Sequence, residues 1–206
     1  MLLALSFLAL LAFSSAAPCA DTESNVFELH DISNGALPIS VRNLTVATYD
    51  DDMKPSCKDG EELGRPSLHL PGYVRVLSGE IVVKEKVDLA LYDALFTVER
   101  DGWFGNFSKI CEDGKDAIIG VVPCKASNFC KLIGEKLCTV LAVPGTYDVN
   151  YTYESGDIPT PDVNFLLHAL LEGNWRGSVS IESSDGKKLA AFAIVVHNKD
   201  NAIELA

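Results

Sequence analysis

The segment CEDGKDAIIGVVPCKASNFCKLIGEKLC, residues 111–138, carries the strongest pattern in the chain. Four of the six cysteines fall within these 28 positions. Disulfides between cysteines this close in sequence restrain one local segment of the chain and do not link distant parts of the fold. We therefore interpret the segment as the scaffold of a loop, which presents the apolar sequences on either side of it.

The first 20 residues carry no charged side chain, and an apolar block from Leu2 to Phe13 is followed by small residues. The block is too short to span a bilayer and the small residues suit a signal peptidase, so we predict a cleaved signal peptide rather than a membrane anchor. Cleavage after Ala16 gives a signal peptide of residues 1–16. Cleavage as late as Ala20 would discard Cys19 and leave an odd number of cysteines.

Three acceptor triplets for N-glycosylation begin at Asn43, Asn106 and Asn150. Single triplets arise often by chance, but three of them agree with a signal peptide and with clustered cysteines. We expect these asparagines at the surface, the cysteines in disulfides, and the protein in a secreted or lysosomal location.

The chain has 206 residues, a net charge of −12 and 48% hydrophobic residues. This length and composition predict one folded domain with a hydrophobic core. A surface this acidic repels phosphate backbones, which argues against nucleic acid as a partner and, at neutral pH, against attraction to anionic membranes. Carboxylates titrate near about pH 4, so an acidic compartment would weaken the repulsion.

From Leu37 onward, short runs alternate apolar and polar residues and are separated by Gly, Pro and Asp. This pattern is typical of strands. An acidic stretch from Tyr49 to Pro66 lacks any periodicity and is predicted to be a long loop, and Ser183–Gly186 is predicted to be a hairpin turn. The predicted strands cover residues 39–46, 73–77, 80–83, 87–92, 145–153, 175–181 and 189–196.

One segment has a helical pattern. Ser127 can cap a turn in which Phe129, Leu132 and Ile133 share a face, and Gly134 can end it. About seven strands and one short helix predict an all-β fold, an immunoglobulin-like antiparallel β-sandwich.

Alternation within the predicted strands identifies the side chains that should line the interior. Residues two apart in a strand share a face. Either other side chains or a bound ligand fill the space between the two sheets, and periodicity leaves both readings open. The expected lining residues are Val87, Leu89, Leu91, Val179, Ile181, Phe192 and Ile194.

Sequence signatures of catalysis are absent: the four histidines are scattered, and there is no His-Glu-x-x-His, Gly-x-Ser-x-Gly or phosphate-binding Gly-Lys-Ser/Thr pattern. We therefore expect no enzymatic activity, no catalytic residue and no cofactor. The acidic run Asp50–Asp52, with Asp59, Glu61 and Glu62, lacks the ligand spacing of an EF-hand. A solvated acidic loop is favoured there over a metal site.

Two apolar stretches fall where loops are expected. The first is Asp101–Phe107, with Trp103 and Phe104 between glycines, and the second is the uncharged stretch Val163–Leu171. Loops normally lie at the surface, so these side chains either pack back against the domain or are exposed for contact with a partner outside it. Two such stretches suggest an opening for an apolar ligand. The second stretch supplies Phe165, Leu166, Leu167 and Leu170.

The cysteine order resembles that of a known family. Cys111, Cys124, Asn128-Phe129-Cys130, Cys138 and the following Pro144–Tyr147 are similar to the ganglioside activator branch of the ML lipid-recognition family. Further similar segments are Asn43–Val46, Val87–Leu91, Gly173–Arg176 and Ser183–Leu189. The similarity covers residues 27–198, which are the expected ML-type lipid-binding domain.

The resemblance implies disulfides Cys111–Cys124 and Cys130–Cys138, which leaves Cys19 and Cys57 as the remaining pair. It implies a splayed sandwich, a β-cup, whose apolar cavity between the sheets accepts lipid tails. The loops at Trp103–Phe104 and Phe165–Leu171 would make transient contact with a membrane surface.

The resemblance also implies a function. A protein of this kind is a non-enzymatic activator that extracts a glycolipid or phospholipid from a membrane and presents it to a lysosomal glycosidase. The alternatives are an extracellular lipid-recognition protein that engages a receptor and a plain adhesion module with a filled core.

Overall fold

The computed structural model describes residues 19–58, 65–101, 106–116, 124–149, 157–160, 173–197 and 201–205. These ranges contain a 3₁₀ turn at Leu89–Leu91 and two short helices, α1 Phe129–Ile133 and α2 Glu135–Leu141. They also contain fourteen strands: β1 Val26–Asp31, β2 Ile39–Tyr49, β3 Cys57–Lys58, β4 Arg65–Leu68, β5 Tyr73–Val83, β6 Tyr92–Asp101, β7 Phe107–Glu112, β8 Lys115–Asp116, β9 Lys125–Ala126, β10 Gly145–Asp148, β11 Ile158–Pro159, β12 Gly173–Ser183, β13 Lys188–Val195 and β14 Ile203–Leu205.

The strands pair into a continuous sheet whose two halves pack against each other as a β-sandwich, which confirms the predicted all-β fold. β1 lies between β2 and β13 and joins the halves. One half continues from β2 to β5, and β5 also pairs with β10 and β11. The other half runs from β13 through β12 and β6 to β7. Among the described strands, β14 pairs with β4 in parallel and the other pairings are antiparallel.

The alternation of apolar and polar residues along β12 explains why this segment forms a strand with one face toward the core. Trp175 and Ile181 point inward and are 4% and 1% exposed. The residues between them on the other face include Arg176, Ser178 and Ser180, which remain partly exposed. Burial of the apolar face contributes about 25 cal/mol for each Å² removed from water, while the polar face stays hydrated.

The interior contains two clusters of buried side chains. The helix-end cluster combines residues of both sheet halves and packs against α1, α2 and the 3₁₀ turn. Its buried members are Ile39, Val41, Leu44, Ile81, Val83, Val87, Leu89, Tyr92, Ala94, Leu141, Val149, Ile181, Leu189, Ala190 and Phe192. The far-end cluster lies at the opposite end and consists of Phe27, Val46, Trp175, Val196 and Ile203.

The strand predicted over residues 87–92 is wrong. The Asp88 carboxylate accepts a hydrogen bond from the backbone N–H of Ala90 (3.2 Å), and this local bond favours a 3₁₀ turn over an extended strand. Leu89 is 1% exposed, whereas Leu91 is 68% exposed. Leu91 therefore does not line the interior, and the strand begins only at Tyr92.

The helical region also departs from the prediction. α1 follows Asn128, whose φ is +62°, and not a capping Ser127. Asn128 is held by its own N–H, which donates to Asp93 Oδ1 (3.0 Å). Leu132 is 42% exposed and so does not share the buried face. The second helix, α2, was not predicted, although Leu137 and Leu141 lie on its inner side with the spacing of one helical turn.

β5 joins the two predicted runs, residues 73–77 and 80–83, in one strand. Ser78 and Gly79 continue it through an irregularity in the pairing with β2 near residues 42–45. Gly79 has a φ of +120°, and a Cβ atom there would stand 2.6 Å from the backbone of Leu44. Only glycine permits this close approach of the two strands.

The predicted loop from Tyr49 to Pro66 is partly structured, because it contains β3 and the start of β4. A buried polar network holds it in place. Asn25, fully buried, donates through Nδ2 to the carbonyl of Thr48 (2.8 Å), and the N–H of Ser56 donates to the same carbonyl (3.0 Å). Apolar periodicity gives no sign of such a network, since its members are polar.

Three disulfides are present: two match the pairs that the resemblance implies, and the third joins the two cysteines that remain. Cys111–Cys124 and Cys130–Cys138 are local bridges, and the second joins α1 to α2. Cys19–Cys57 links the N-terminal segment to β3 across 38 positions. Disulfides are typical of proteins of the secretory route. Within the described ranges, neither helix has the length and apolar run needed to cross a bilayer.

Candidate lipid-binding site

Apart from Leu91, which is exposed, the residues predicted to bind lipid fall into three groups. Val87, Leu89, Ile181 and Phe192 are buried in the helix-end cluster. Val179 packs against that cluster and Ile194 against the far-end cluster, and both remain partly exposed. The third group lies outside the described residues and consists of Trp103, Phe104, Phe165, Leu166, Leu167 and Leu170.

The two clusters form one continuous apolar interior. Leu29 of β1 and Val76 of β5 pack against both of them. Several apolar side chains around this junction are only partly buried although they pack against the clusters from inside the sandwich. The described strands and helices therefore leave them partly uncovered. These residues are Leu29, Val76, Phe96, Val98, Val179 and Ile194.

We call these six side chains the apolar row. Strand register places most of the apolar row on one surface. Val179 lies opposite Phe96 on one side and opposite Phe192 on the other. Leu29 lies opposite Ile194, so the row continues across β1. Directly opposed residues of neighbouring strands share a face of the sheet. The row thus forms an apolar surface that crosses four strands between the two ends of the sandwich.

The segments adjoining the two predicted membrane loops meet at the far end of the sandwich. Residues 102–105 follow Asp101 and residues 161–172 precede Gly173. The Asp101 carboxylate accepts hydrogen bonds from the backbone N–H of Asn174 (2.9 Å) and from its Nδ2 (2.8 Å). One end of each predicted loop therefore adjoins the same hydrogen-bonded pair, Asp101 and Asn174. The third aromatic of the first stretch, Phe107, lies in β7 with the Arg176 guanidinium 3.9 Å from its ring centre.

The sheet is split on one side of β1. β1 and β2 pair from Val26–Ala47 to Leu29–Leu44, and beyond that point β1 pairs only with β13 and β2 only with β5. A groove of about 640 Å³ occupies the split. We call it the β1–β2 groove, lined by residues 29–31, 34–35, 40–43, 82 and 84.

The groove has an apolar floor and a polar rim. Leu29 and Val41 belong to the interior, so the floor reaches the helix-end cluster. The rim carries the cationic or protonatable side chains His30, Arg42 and Lys84. A concave site with apolar walls and a few convergent polar groups is the usual form of a small-ligand site.

A tight turn closes the rim. The Asp31 carboxylate accepts hydrogen bonds from the N–H groups of Ser33 (2.8 Å) and Gly35 (2.7 Å) and from the Ser33 hydroxyl (2.6 Å). The Lys84 ammonium donates to the Gly35 carbonyl, which ties the turn to the end of β5. The turn is therefore held in shape by three carboxylate contacts and one lysine.

A carboxylate with two histidine partners lies next to the groove. Glu28 Oε2 accepts from His30 Nε2 (2.6 Å), and Glu28 Oε1 accepts from His197 Nε2 (3.0 Å). Hydrogen bonds from His30 and then His197 lower the pKa of Glu28, because they stabilise the charged carboxylate. This arrangement joins β1 to the segment that follows β13.

Two of the three predicted glycosylation acceptors are exposed. Asn43 and Asn106 lie at the surface, and Asn150 lies outside the described residues. Asn43 has a φ of +48° and lines the β1–β2 groove.

Sequence reasoning did not find the groove. A possible signal was the turn sequence Ser33-Asn34-Gly35, which separates β1 from β2.

Comparisons with protein-family models and with curated proteins found no match to this chain.

Proposed function

We propose that this protein is a non-enzymatic lipid-binding and lipid-transfer protein of the secretory route, similar in function to the ganglioside activators. The observation that carries this proposal is the apolar row between the two sheet halves. Its side chains pack against the core yet stay partly uncovered. Leaving such a row partly uncovered forfeits hydrophobic stabilisation, which a bound apolar ligand would restore.

A lipid chain is the ligand that suits such a surface. Each buried methylene of a chain contributes about 0.8 kcal/mol, and an apolar site has no polar groups to satisfy. A ligand with two chains can therefore reach useful affinity without any specific polar contact. Headgroup selectivity then comes from polar side chains at the margins of the apolar surface.

The two apolar loops would provide membrane contact. Trp103 and Phe104, together with the stretch from Phe165 to Leu171, would insert among lipid headgroups and lower the cost of moving a chain from bilayer to protein. Both loops adjoin the hydrogen-bonded pair Asp101 and Asn174, which supports their contacting the membrane together. In this scheme the loaded protein presents a glycolipid or phospholipid to a hydrolase, with a lysosomal glycosidase as the expected partner.

The test is extraction of lipid from vesicles. Delipidated protein is incubated with liposomes that contain a labelled ganglioside or labelled phosphatidylcholine at pH 5 and at pH 7, and protein-bound label is separated from vesicles. We expect stoichiometric transfer of label to the protein. If no label leaves the vesicles at either pH, the proposed function is wrong. Retention at a receptor without transfer would favour lipid recognition instead.

A further inference from the structure

We propose that the β1–β2 groove binds the anionic headgroup of an amphiphile, whose chain passes inward between Leu29 and Val41. This inference rests on the proposed lipid-binding function and specifies the headgroup. The groove joins the two features such a ligand needs, since its floor belongs to the apolar interior and its rim is polar. Its volume of about 640 Å³ suits a headgroup with the first part of a chain.

The floor is apolar because two side chains of the interior, Leu29 and Val41, line the groove at the split. Val41 is 8% exposed and belongs to the helix-end cluster, and Leu29 packs against both clusters. Because β1 leaves β2 after the Leu29–Leu44 pair, none of the described strands pairs with β2 on the β1 side of Val41. A chain that enters here meets the same apolar row that carries the proposed function.

The rim carries His30, Arg42 and Lys84 on a protein with a net charge of −12. Asp31 lines the groove beside them, and two carboxylates next to the lining bind two of them: Glu28 binds His30 and Glu80 binds Arg42. The Asp31 oxygens already accept three hydrogen bonds from the turn. Arg42 and Lys84 are therefore the cations that can turn to a ligand, and their N–H donors favour a phosphate, sulfate or carboxylate over a neutral sugar.

The present partners of these cations can be exchanged at low cost. The Arg42–Glu80 pair spans 3.3 Å, and its side chains are 66% and 40% exposed. Ion pairs this exposed contribute about 0–1 kcal/mol, so a bound anion can replace Glu80 without a large penalty. The Lys84 ammonium donates to the Gly35 carbonyl and has further N–H donors to offer.

The experiment uses the delipidated full-length chain at pH 5. All proteins carry Asn43→Gln, because Asn43 lines the groove and a glycan there would stand at its mouth. The probes are oleoyl lysophosphatidic acid, neutral monoolein, which has the same chain, and glycerol 3-phosphate, which has no chain. The test variant is Arg42→Gln with Lys84→Gln. The matched control is Lys109→Gln with Lys115→Gln, which removes two charges from exposed positions on β7 and β8.

We expect the test variant to bind lysophosphatidic acid about tenfold more weakly, because two charge-assisted hydrogen bonds are lost. Monoolein binding should change by less than about twofold, and the control should match the parent for both probes. Equal weakening for both amphiphiles, or no weakening for lysophosphatidic acid, would overturn the inference. Glycerol 3-phosphate binding as tight as that of lysophosphatidic acid would also overturn it, because the floor would then add nothing. If the parent binds neither amphiphile, the inference is wrong, and extraction of labelled lipid from vesicles shows separately whether the proposed function fails.

Discussion

At the scale of single residues, Glu28 shows how one carboxylate makes the fold sensitive to pH. Its two oxygens accept hydrogen bonds from His30 and His197, and these bonds lower its pKa below the ordinary value of 4.5. The folded chain therefore holds this proton less tightly than the unfolded chain. The resulting stability is complete above about pH 4.5 and is lost as the pH falls through the lowered folded-state pKa.

We predict that Glu28→Gln lowers the free energy of unfolding by less than about 1 kcal/mol at pH 5 and by the same amount at pH 8. The reason is that glutamine cannot replace the charged carboxylate as the acceptor for the hydrogen bonds from His30 and His197. Below the lowered pKa the difference should vanish. Urea unfolding at pH 3, 5 and 8 measures it, with Glu23→Gln as an exposed control. A penalty that is independent of pH would contradict the assignment.

Residue-scale prediction from sequence succeeds where burial follows periodicity. Ile181 and Phe192 were predicted to face inward and are 1% and 9% exposed. It fails at Leu91, because Asp88 forms a local hydrogen bond that an apolar–polar alternation does not encode. It also misses Asn25, whose burial depends on partners distant in sequence such as Thr48.

At the scale of elements, the irregular pairing of β2 with β5 depends on one glycine. We predict that Gly79→Ala costs about 3 kcal/mol or more, because the new Cβ would overlap the backbone of residues 42–44 at a φ of +120°. Gly35→Ala is the matched control. Gly35 also has a positive φ, +74°, but open space around it, so the cost there should be about 1 kcal/mol. Thermal unfolding of both variants measures the difference, and equal costs would show that crowding at Gly79 is unimportant.

The disulfides differ in the length of chain that each one closes. Cys19–Cys57 spans 38 positions and Cys130–Cys138 spans 8. We predict that replacing the first pair by alanines costs about 4 kcal/mol and the second pair about 2.5 kcal/mol, because a longer closed loop restricts the unfolded chain more. Urea unfolding of the two double variants tests this order. A larger loss for the Cys130–Cys138 variant would mean that this bridge acts mainly on the native helices.

Element-scale prediction recovers the long strands and loses the short helices. β12 was found because its inward and outward residues alternate, which gives a period of two, whereas β2 and β13 were found although consecutive residues of each are buried. α2 has only seven residues, so its two inward leucines, Leu137 and Leu141, give too brief a pattern to recognise. The β1–β2 groove could not be predicted, since it arises where two strands separate.

At the scale of the whole molecule, the sandwich and its continuous interior are properties of the structure, whereas lipid transfer is the function we propose for them. We predict that Trp103→Ala lowers the rate of lipid extraction about fivefold, corresponding to about 1 kcal/mol of lost membrane contact. Thermal stability should change little, because Trp103 is expected to face the membrane. Leu132→Ala, at an exposed helix position, is the control. A variant that loses more stability than extraction would show that Trp103 belongs to the core.

The central claim is that the interior between the two sheet halves holds lipid. Native mass spectrometry of the protein purified without detergent tests it most directly, with lipid identified after release from the complex. The account predicts a non-covalent adduct with the mass of a lipid, which disappears on delipidation and returns on incubation with vesicles. A protein that carries no lipid as purified and takes none from vesicles would contradict the account and show that the sandwich has a filled core.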